Sequence, residues 1–544
     1  MQVIDLKRLR RTYFGNATAT RDQRVQLRGS KAVVLFTLYL IIMALVLYIA
    51  YDSAIGYSSR SLATAQSNLQ GFYWATIACL GVVVTIVAPA VGAFAIVTER
   101  QRRSLDLVFS APVEPKFYLV GKLISAYLYV WLLLILALPF CAVSVTLGGT
   151  TWIQLFITFL LFSFYGLICV AFGLLLSSMS SRPIPALCWT YCAIGAYWFF
   201  TFYLAMTGFM AISGFGGSSS SPFSNVSFFT ALCPLTFPFQ GGQSTLILGR
   251  EFPIWLVSIV EHLLVIKIII LAAGSIMSPS DGREIKSLRI HGLIYFGVVA
   301  VLIGWGVSAG AQAAFSSGPT LTNPTQNVSS IFGRALAGVL CVTGICIVPY
   351  LSTFGQNDYR RFRFNGLFNI RKMFTGTVAG NLPYLITFAL VGVVGFLAGT
   401  TADLGSVRSF GPTGTRVKIT GASLLVQPMF LIYLLLALGI WTLMWSCGIL
   451  SAAKHQNISR ARTVSLFSLV AIALVPTFFL SIISPESLEK VEGLWKLNII
   501  ASLFCNVEYS GYAAIHGVAL LVISAILIGS LQSRLRKLTP TEPR

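Results

Sequence analysis

Residues 32–51, AVVLFTLYLIIMALVLYIAY, carry no charged side chain, and runs of this kind recur along the whole chain. About 20 apolar residues suffice to cross the hydrocarbon core of a bilayer as a helix, which satisfies its own backbone amides. Such runs can be read near 31–52, 73–97, 119–146, 152–178, 184–212, 254–276, 291–311, 332–354, 382–400, 422–448, 464–483 and 512–531. Composition agrees, since 56% of the 544 residues are hydrophobic and 10% are charged, against roughly 25% charged in soluble domains. The expected fold class is an all-α polytopic membrane protein of about 12 transmembrane helices.

The basic residues set the expected orientation, because short loops rich in Lys and Arg stay in the cytoplasm. An even number of spans returns both termini to one side. With the N-terminus inside, only Arg60, Arg250, Arg408, Arg416, Lys418, Lys490 and Lys496 fall outside. The expected location is the cell (inner) membrane, with both termini cytoplasmic. Sidedness also accounts for the net charge of +21, so no nucleic-acid partner is expected. Residues 1–30 are polar and basic without the apolar core of a signal peptide, and read as a cytoplasmic arm.

The spans fall into six plus six. Laying 357–381 (NDYRRFRFNGLFNIRKMFTGTVAGN) over 98–122 (TERQRRSLDLVFSAPVEPKFYLVGK) pairs Glu99 with Asp358, Arg102 with Arg361, Asp106 with Asn365, Phe109 with Phe368 and Gly121 with Gly380. Both stretches follow the second span of their half on the cytoplasmic side. Each half also closes with an apolar external segment, SFFTALCPLTFPFQGG or LWKLNIIASLFCNVEYSGYA, too short to cross and expected to be re-entrant. Two six-helix units in parallel orientation follow as the expected organisation: 1–278, a polar linker at 279–289 with an Asp-Gly turn signal, and 290–544. The external loops are short, and no folded external domain is expected.

Residues 98–110 place Leu105, Val108 and Phe109 among charged residues at helical spacing, which predicts a short surface helix ended by Pro112 and Pro115. This stretch resembles the Glu-Arg-x-x-Gly-Thr-Leu-Asp-Leu…Pro-Val…Gly-Lys segment of type-2 ATP-binding cassette (ABC-2) transporter permeases. Glu99, Arg100, Leu105, Asp106, Leu107, Pro112, Val113, Gly121 and Lys122 match it, with Arg103 in place of Gly and Ser104 in place of Thr. In the second copy Asn381 stands where Lys122 would predict a base. The resemblance implies two pseudo-symmetric permease units with short cytoplasmic coupling helices. It further implies contact with ATP-binding subunits through Glu99, Arg100, Arg102, Asp106, Phe109, Asp358, Arg360 and Arg361. The implied partners are two separate cytoplasmic nucleotide-binding ATPase subunits, with room for accessory subunits and with membrane lipid around the chain. The implied direction is export.

No Gly-x-x-x-x-Gly-Lys-Ser/Thr phosphate loop occurs in the sequence. The chain is therefore not expected to be an enzyme or to hold a cofactor, ATP and Mg²⁺ belonging to the partner. Cys233 and Cys505 fall in the two external segments, where buried thiols are expected rather than a bridge. No Cys/His cluster has metal spacing. Glu261 and His262 in the sixth span, and His516 in the last, are intramembrane polar groups and hence candidates for a translocation path, while Lys267 can reach the inner interface. A twelve-helix secondary transporter driven by an ion gradient is the alternative. It would ordinarily carry several intramembrane carboxylates, and Glu261 is the clear one here. A membrane enzyme acting on lipid would want clustered acids and histidines, which the four scattered His do not provide.

Overall fold

The structure, a computed structural model, describes residues 17–27, 30–55, 62–103, 105, 115–213, 231, 233–242, 244–247, 250–277, 282–316, 320–321, 324–352, 368–400, 403–409, 416–420, 428–455, 457, 460–471 and 510–538. These divide between two compact units, one of Met1–Ala205 with Val226–Leu288 and one of Met206–Asn225 with Arg289–Arg544. Nine helices among the described residues are long and apolar enough to cross a membrane. The runs expected at 184–212, 332–354 and 464–483 are helical at Pro183–Ser213, Pro324–Leu351 and 460–471 without being among the nine.

Unit 1 begins with a short polar helix, α1 (Ala17–Leu27), followed by α2 (Ser30–Ile55), α3 (Leu62–Gln101), α4 (Pro115–Thr146) and α5 (Trp152–Met179). Then come α6 (Pro183–Ser213), which belongs to this unit as far as Ala205, a 3₁₀ turn (Pro234–Gly242), a hairpin of β1 (Ser244–Ile247) and β2 (Arg250–Pro253), and α7 (Ile254–Met277). On α2, Val33, Val34, Leu38, Ile41, Leu45 and Ile49 are exposed. In water such a surface would be a liability; here it is the face that meets lipid.

The core of unit 1 is the α3–α5 seam. A Cβ on Gly92 would lie 2.5 Å from the Val170 carbonyl oxygen, and one on Gly173 would lie 2.6 Å from the Ala93 nitrogen. The two backbones therefore touch, the close approach that small residues permit between helices in lipid. The Ser177 hydroxyl accepts from the Ile96 and Val97 amides at 3.2 and 3.0 Å, and the Tyr73 and Thr158 hydroxyls pair at 3.0 Å. Thr151 starts α5 by accepting from the Gln154 amide, and Pro183 begins α6 where a missing N–H costs nothing.

Unit 2 contains α8 (Gly282–Ser316) from Arg289 onward, β3 (Thr320–Leu321), α9 (Pro324–Leu351), a 3₁₀ turn (Ile370–Lys372) and α10 (Val378–Gly399). After β4 (Asp403–Ser409) and β5 (Arg416–Thr420) come α11 (Pro428–His455) and α12 (Ser510–Leu538). Phe296 of α8 stacks on Phe388 of α10 with ring centroids 4.1 Å apart, and the buried Trp441 of α11 donates to the Leu340 carbonyl of α9 at 2.8 Å.

Three details differ from the sequence reading. The polar stretch 279–289, read as a linker, is helical from Gly282 onward, and the two units divide within it, between Leu288 and Arg289. Of the surface helix expected over 98–110, the first residues belong to α3, which runs on to Gln101 and closes in a turn with Arg103 in the left-handed region at φ 56°; Leu105 is helical, and 104 and 106–110 lie outside the described residues. Small sheets are also present: β1 pairs with β2, and β3, β4 and β5 form a three-stranded sheet in that order. In unit 2 the β4–β5 hairpin lies in the connection 400–427 between α10 and α11, where unit 1 joins α4 to α5 through 147–151 alone.

Substituting Gly173 by Val should force α3 and α5 apart and lower the thermal midpoint of the detergent-solubilised protein by several degrees. Fluorescence-detected size exclusion after heating measures it, and an unchanged midpoint would contradict the backbone contact.

Candidate functional site

Lys122 lies two turns into α4 and is 4% exposed. A lysine buried so deeply needs a counter-charge, and it has two. Its ammonium donates to Asp22 on α1 and, at 2.6 Å, to Glu99 near the end of α3. Glu99 also accepts from the Tyr118 hydroxyl and from Arg21 at 2.8 Å. Arg21 completes the group by donating to Asp22 at 3.0 Å. The hydrogen bond to Asp22 outweighs partial burial and, with the attraction of both carboxylates, raises the Arg21 guanidinium above its ordinary pKa. One buried cation thus fastens three helices at the face the basic residues assign to the cytoplasm.

Arg100 points into the unit as well. Its guanidinium donates to the Ser178 and Ser180 carbonyls at 2.9 and 2.5 Å, satisfying acceptors left open at the C-terminus of α5. Arg102 and Arg103, two and three residues further on, are exposed. The end of α3 therefore has an inward pair, Glu99 and Arg100, and an outward pair. Arg103 occupies the position where the resembling segment carries Gly, and its positive φ supplies the reason, since Gly adopts that conformation without a Cβ clash. Asp106 and Phe109 lie outside the described residues.

Unit 2 has a polar group at the matching place, made from different residues. Asn381 of α10, laid over Lys122 by the sequence, is buried. Its carbonyl accepts from Arg289 of α8 at 2.5 Å and its amide donates to the Leu351 carbonyl at the end of α9 at 2.9 Å. Arg289 also donates to the Met373 carbonyl at 2.6 Å and stacks over Tyr384, whose hydroxyl donates to the Arg289 carbonyl at 2.9 Å. The cation missing at Asn381 comes from the neighbouring helix. Beside it the 3₁₀ turn packs on α10 so closely that a Cβ on Gly380 would lie 1.9 Å from the Lys372 carbonyl oxygen. That turn exposes Phe368, Ile370 and Arg371. Asp358, Arg360 and Arg361 lie outside the described residues.

The intramembrane candidates separate between the units. Glu261 and His262 are buried on α7 of unit 1, 3% and 0% exposed, and His516 is half-buried on α12 of unit 2. Lys267 is exposed. Phe237 of the 3₁₀ turn is fully buried between the rings of Phe162, Tyr165 and His262, and Gln154 donates to the Pro238 carbonyl at 2.9 Å. The part of the external segment within 233–242 is thus packed on α5 and α7. Cys233 is buried, and Cys505 lies outside the described residues.

Sequence reasoning missed Asp22, Arg21, Tyr118, Arg289 and Arg334. A lone acid in a basic helix was the available signal for Asp22. Arg334, an arginine inside α9, donates to the Tyr433 hydroxyl at 3.1 Å and lies over its ring at 5.6 Å.

Replacing Lys122 by Met leaves Asp22 and Glu99 facing one another without their shared cation. The expected loss is about 3 kcal/mol, read as a lower thermal midpoint, with Lys122→Arg retaining most of it. Equal midpoints for Lys122→Met and the parent protein would contradict the ion pairing.

No curated protein matches the chain. A family model described as ABC-2 family transporter protein matches residues 47–278, which cover most of unit 1 including Glu99, Lys122, Glu261 and His262. Over that region, less than half of the 544 residues, the chain is similar to ABC-2 family transporter proteins.

Proposed function

We propose that the chain is the permease subunit of an ABC exporter and forms its translocation path. ATP and Mg²⁺ are handled by two separate ATP-binding subunits on the cytoplasmic side. The two units are read as a duplicated, pseudo-symmetric six-helix permease, so that one copy of the chain supplies both membrane halves.

The observation that carries this reading is the buried Lys122, held by Asp22 and Glu99 directly behind the exposed Arg102–Arg103 turn. A pushing or pulling force on that turn reaches α1, α3 and α4 together, because a buried charged group cannot slip from its partners without losing several kcal/mol. Glu99 and Arg100, which the resemblance assigns to the ATPase contact, act in this reading as the inner side of the handle. Arg102 and Arg103 offer its outer surface. In unit 2 the turn with Phe368, Ile370 and Arg371 plays the same part, backed by Arg289 and Asn381.

Purifying the chain from its native membranes should bring ATPase activity with it, and the double substitution Arg102→Glu, Arg103→Glu should reduce the co-purified activity at least fivefold while leaving the thermal midpoint unchanged. Full co-purification of the variant would remove these two residues from the contact. Uptake into vesicles that proceeds without ATP and collapses with an ionophore would instead favour the gradient-driven alternative, to which the buried Glu261 lends its one observation.

A further inference from the structure

Buried hydroxyls in this protein ordinarily bond back to the preceding helical turn. Thr76 donates to the Phe72 carbonyl, Thr190 to Ala186, Ser308 to Gly304 and Ser524 to Leu520. Ser258 of α7 does not; its hydroxyl oxygen is buried and unpartnered, although the residue is 0% exposed. One helical turn on, both carboxyl oxygens of Glu261 and Nε2 of His262 are buried and unpartnered too. Residues 258, 261 and 262 stand at i, i+3 and i+4, so these four atoms share one face of α7. Leaving such atoms unpaired is costly, most of all for an ionised group. Four together mark a place built for a ligand.

The chemistry of the four atoms is one-sided. Nδ1 of His262 lies 2.6 Å from the Ser258 carbonyl, which can only accept, so Nδ1 carries the hydrogen and Nε2 offers a lone pair. The carboxylate accepts, and the hydroxyl can accept. The set therefore seeks N–H donors carrying one positive charge. A divalent metal fits poorly, because one carboxylate cannot balance it and no group of three or more His, Cys, Asp or Glu occurs among the described residues. Beside His262 the wall is aromatic: the Phe237 ring lies 5.6 Å from the imidazole, 5.5 Å from Phe162 and 6.2 Å from Tyr165. Aromatic faces with a carboxylate are the surroundings in which an organic cation binds.

The geometry points to a binding site for an organic ammonium group, in which Glu261 neutralises the charge and Ser258 and His262 take its N–H bonds beside the Phe237 wall. The inference rests on reading unit 1 as half of a transport pathway and supplies a substrate class for that pathway, an amine or an amine-bearing lipid headgroup.

The test uses the full chain in phosphatidylcholine nanodiscs and radiolabelled phenethylammonium in a scintillation proximity assay. Saturable binding is expected, with unlabelled 3-phenylpropionate failing to compete and with Glu261→Gln weakening it at least tenfold. Ser258→Ala should weaken it about threefold, and size-exclusion profiles confirm that both variants remain folded. Repeating the titration in discs containing phosphatidylethanolamine separates the two sources: a lower apparent affinity assigns the site to the lipid headgroup, an unchanged one to a soluble amine. No saturable binding by the parent chain, equal binding by Glu261→Gln, or equal competition by the carboxylate would overturn the proposal. Because the assay needs no ATPase, absence of binding in a chain that still co-purifies ATPase activity removes this site alone. Absence of co-purified ATPase with binding intact removes the exporter reading instead.

Discussion

A lysine ammonium shut away from water at the base of a membrane helix must be paid for, and Lys122 is matched by two carboxylates from two other helices. Everything at that end of unit 1 follows from it. The polar α1, which has little apolar surface of its own, is held by Asp22 against α4. The long α3 is held by Glu99, which Tyr118 and Arg21 also grip. The next residue, Arg100, donates to the carbonyls at the end of α5. The outward-facing remainder, Arg102 and Arg103, becomes the part of α3 that another protein can reach. Within lipid, where apolar contact gives helices little preference for one another over the bilayer, such polar fastening decides which helices move as a group.

Unit 2 solves the same problem with other side chains. Its cation, Arg289, comes from α8 and is spread over a carbonyl, an amide oxygen and an aromatic ring, with no carboxylate among those contacts. A guanidinium suits this, since its charge is delocalised and its donors diverge in a plane. The two groups differ in kind: the first unit has an ion group shared by α1, α3 and α4, whereas the contacts named for Arg289 are to neutral acceptors and a ring.

Much of the fold was legible in the sequence because a membrane leaves few choices. The uncharged runs at 32–51 and elsewhere became helices, and the Gly-Lys ending of 98–122 identified Lys122 before its partners were known. The partners were not legible, because Asp22 is 100 residues from Lys122 and Arg289 is 92 from Asn381, and no local pattern encodes such pairs. The hairpins escaped for another reason. Strands of four to seven residues such as Ser244–Ile247 and Asp403–Ser409, the latter with a Gly inside, give too little alternation to stand out beside helices of more than twenty. At Arg103 the apparent departure from the family segment is explained by its backbone, which keeps the conformation that Gly favours while carrying an arginine. The unpartnered face of α7 could be suspected from Glu261 and His262, but Ser258 looked like any other membrane serine until its missing back-bond was seen.

The coupling between Asp22 and Lys122 is the most direct measure of whether this ion group organises unit 1. Thermal midpoints of Asp22→Asn, Lys122→Met and the double variant form a cycle. If the buried pair holds α1 to α4, the double variant should be less destabilised than the sum of the two single variants by about 1 kcal/mol or more. Strict additivity of the two effects would contradict it.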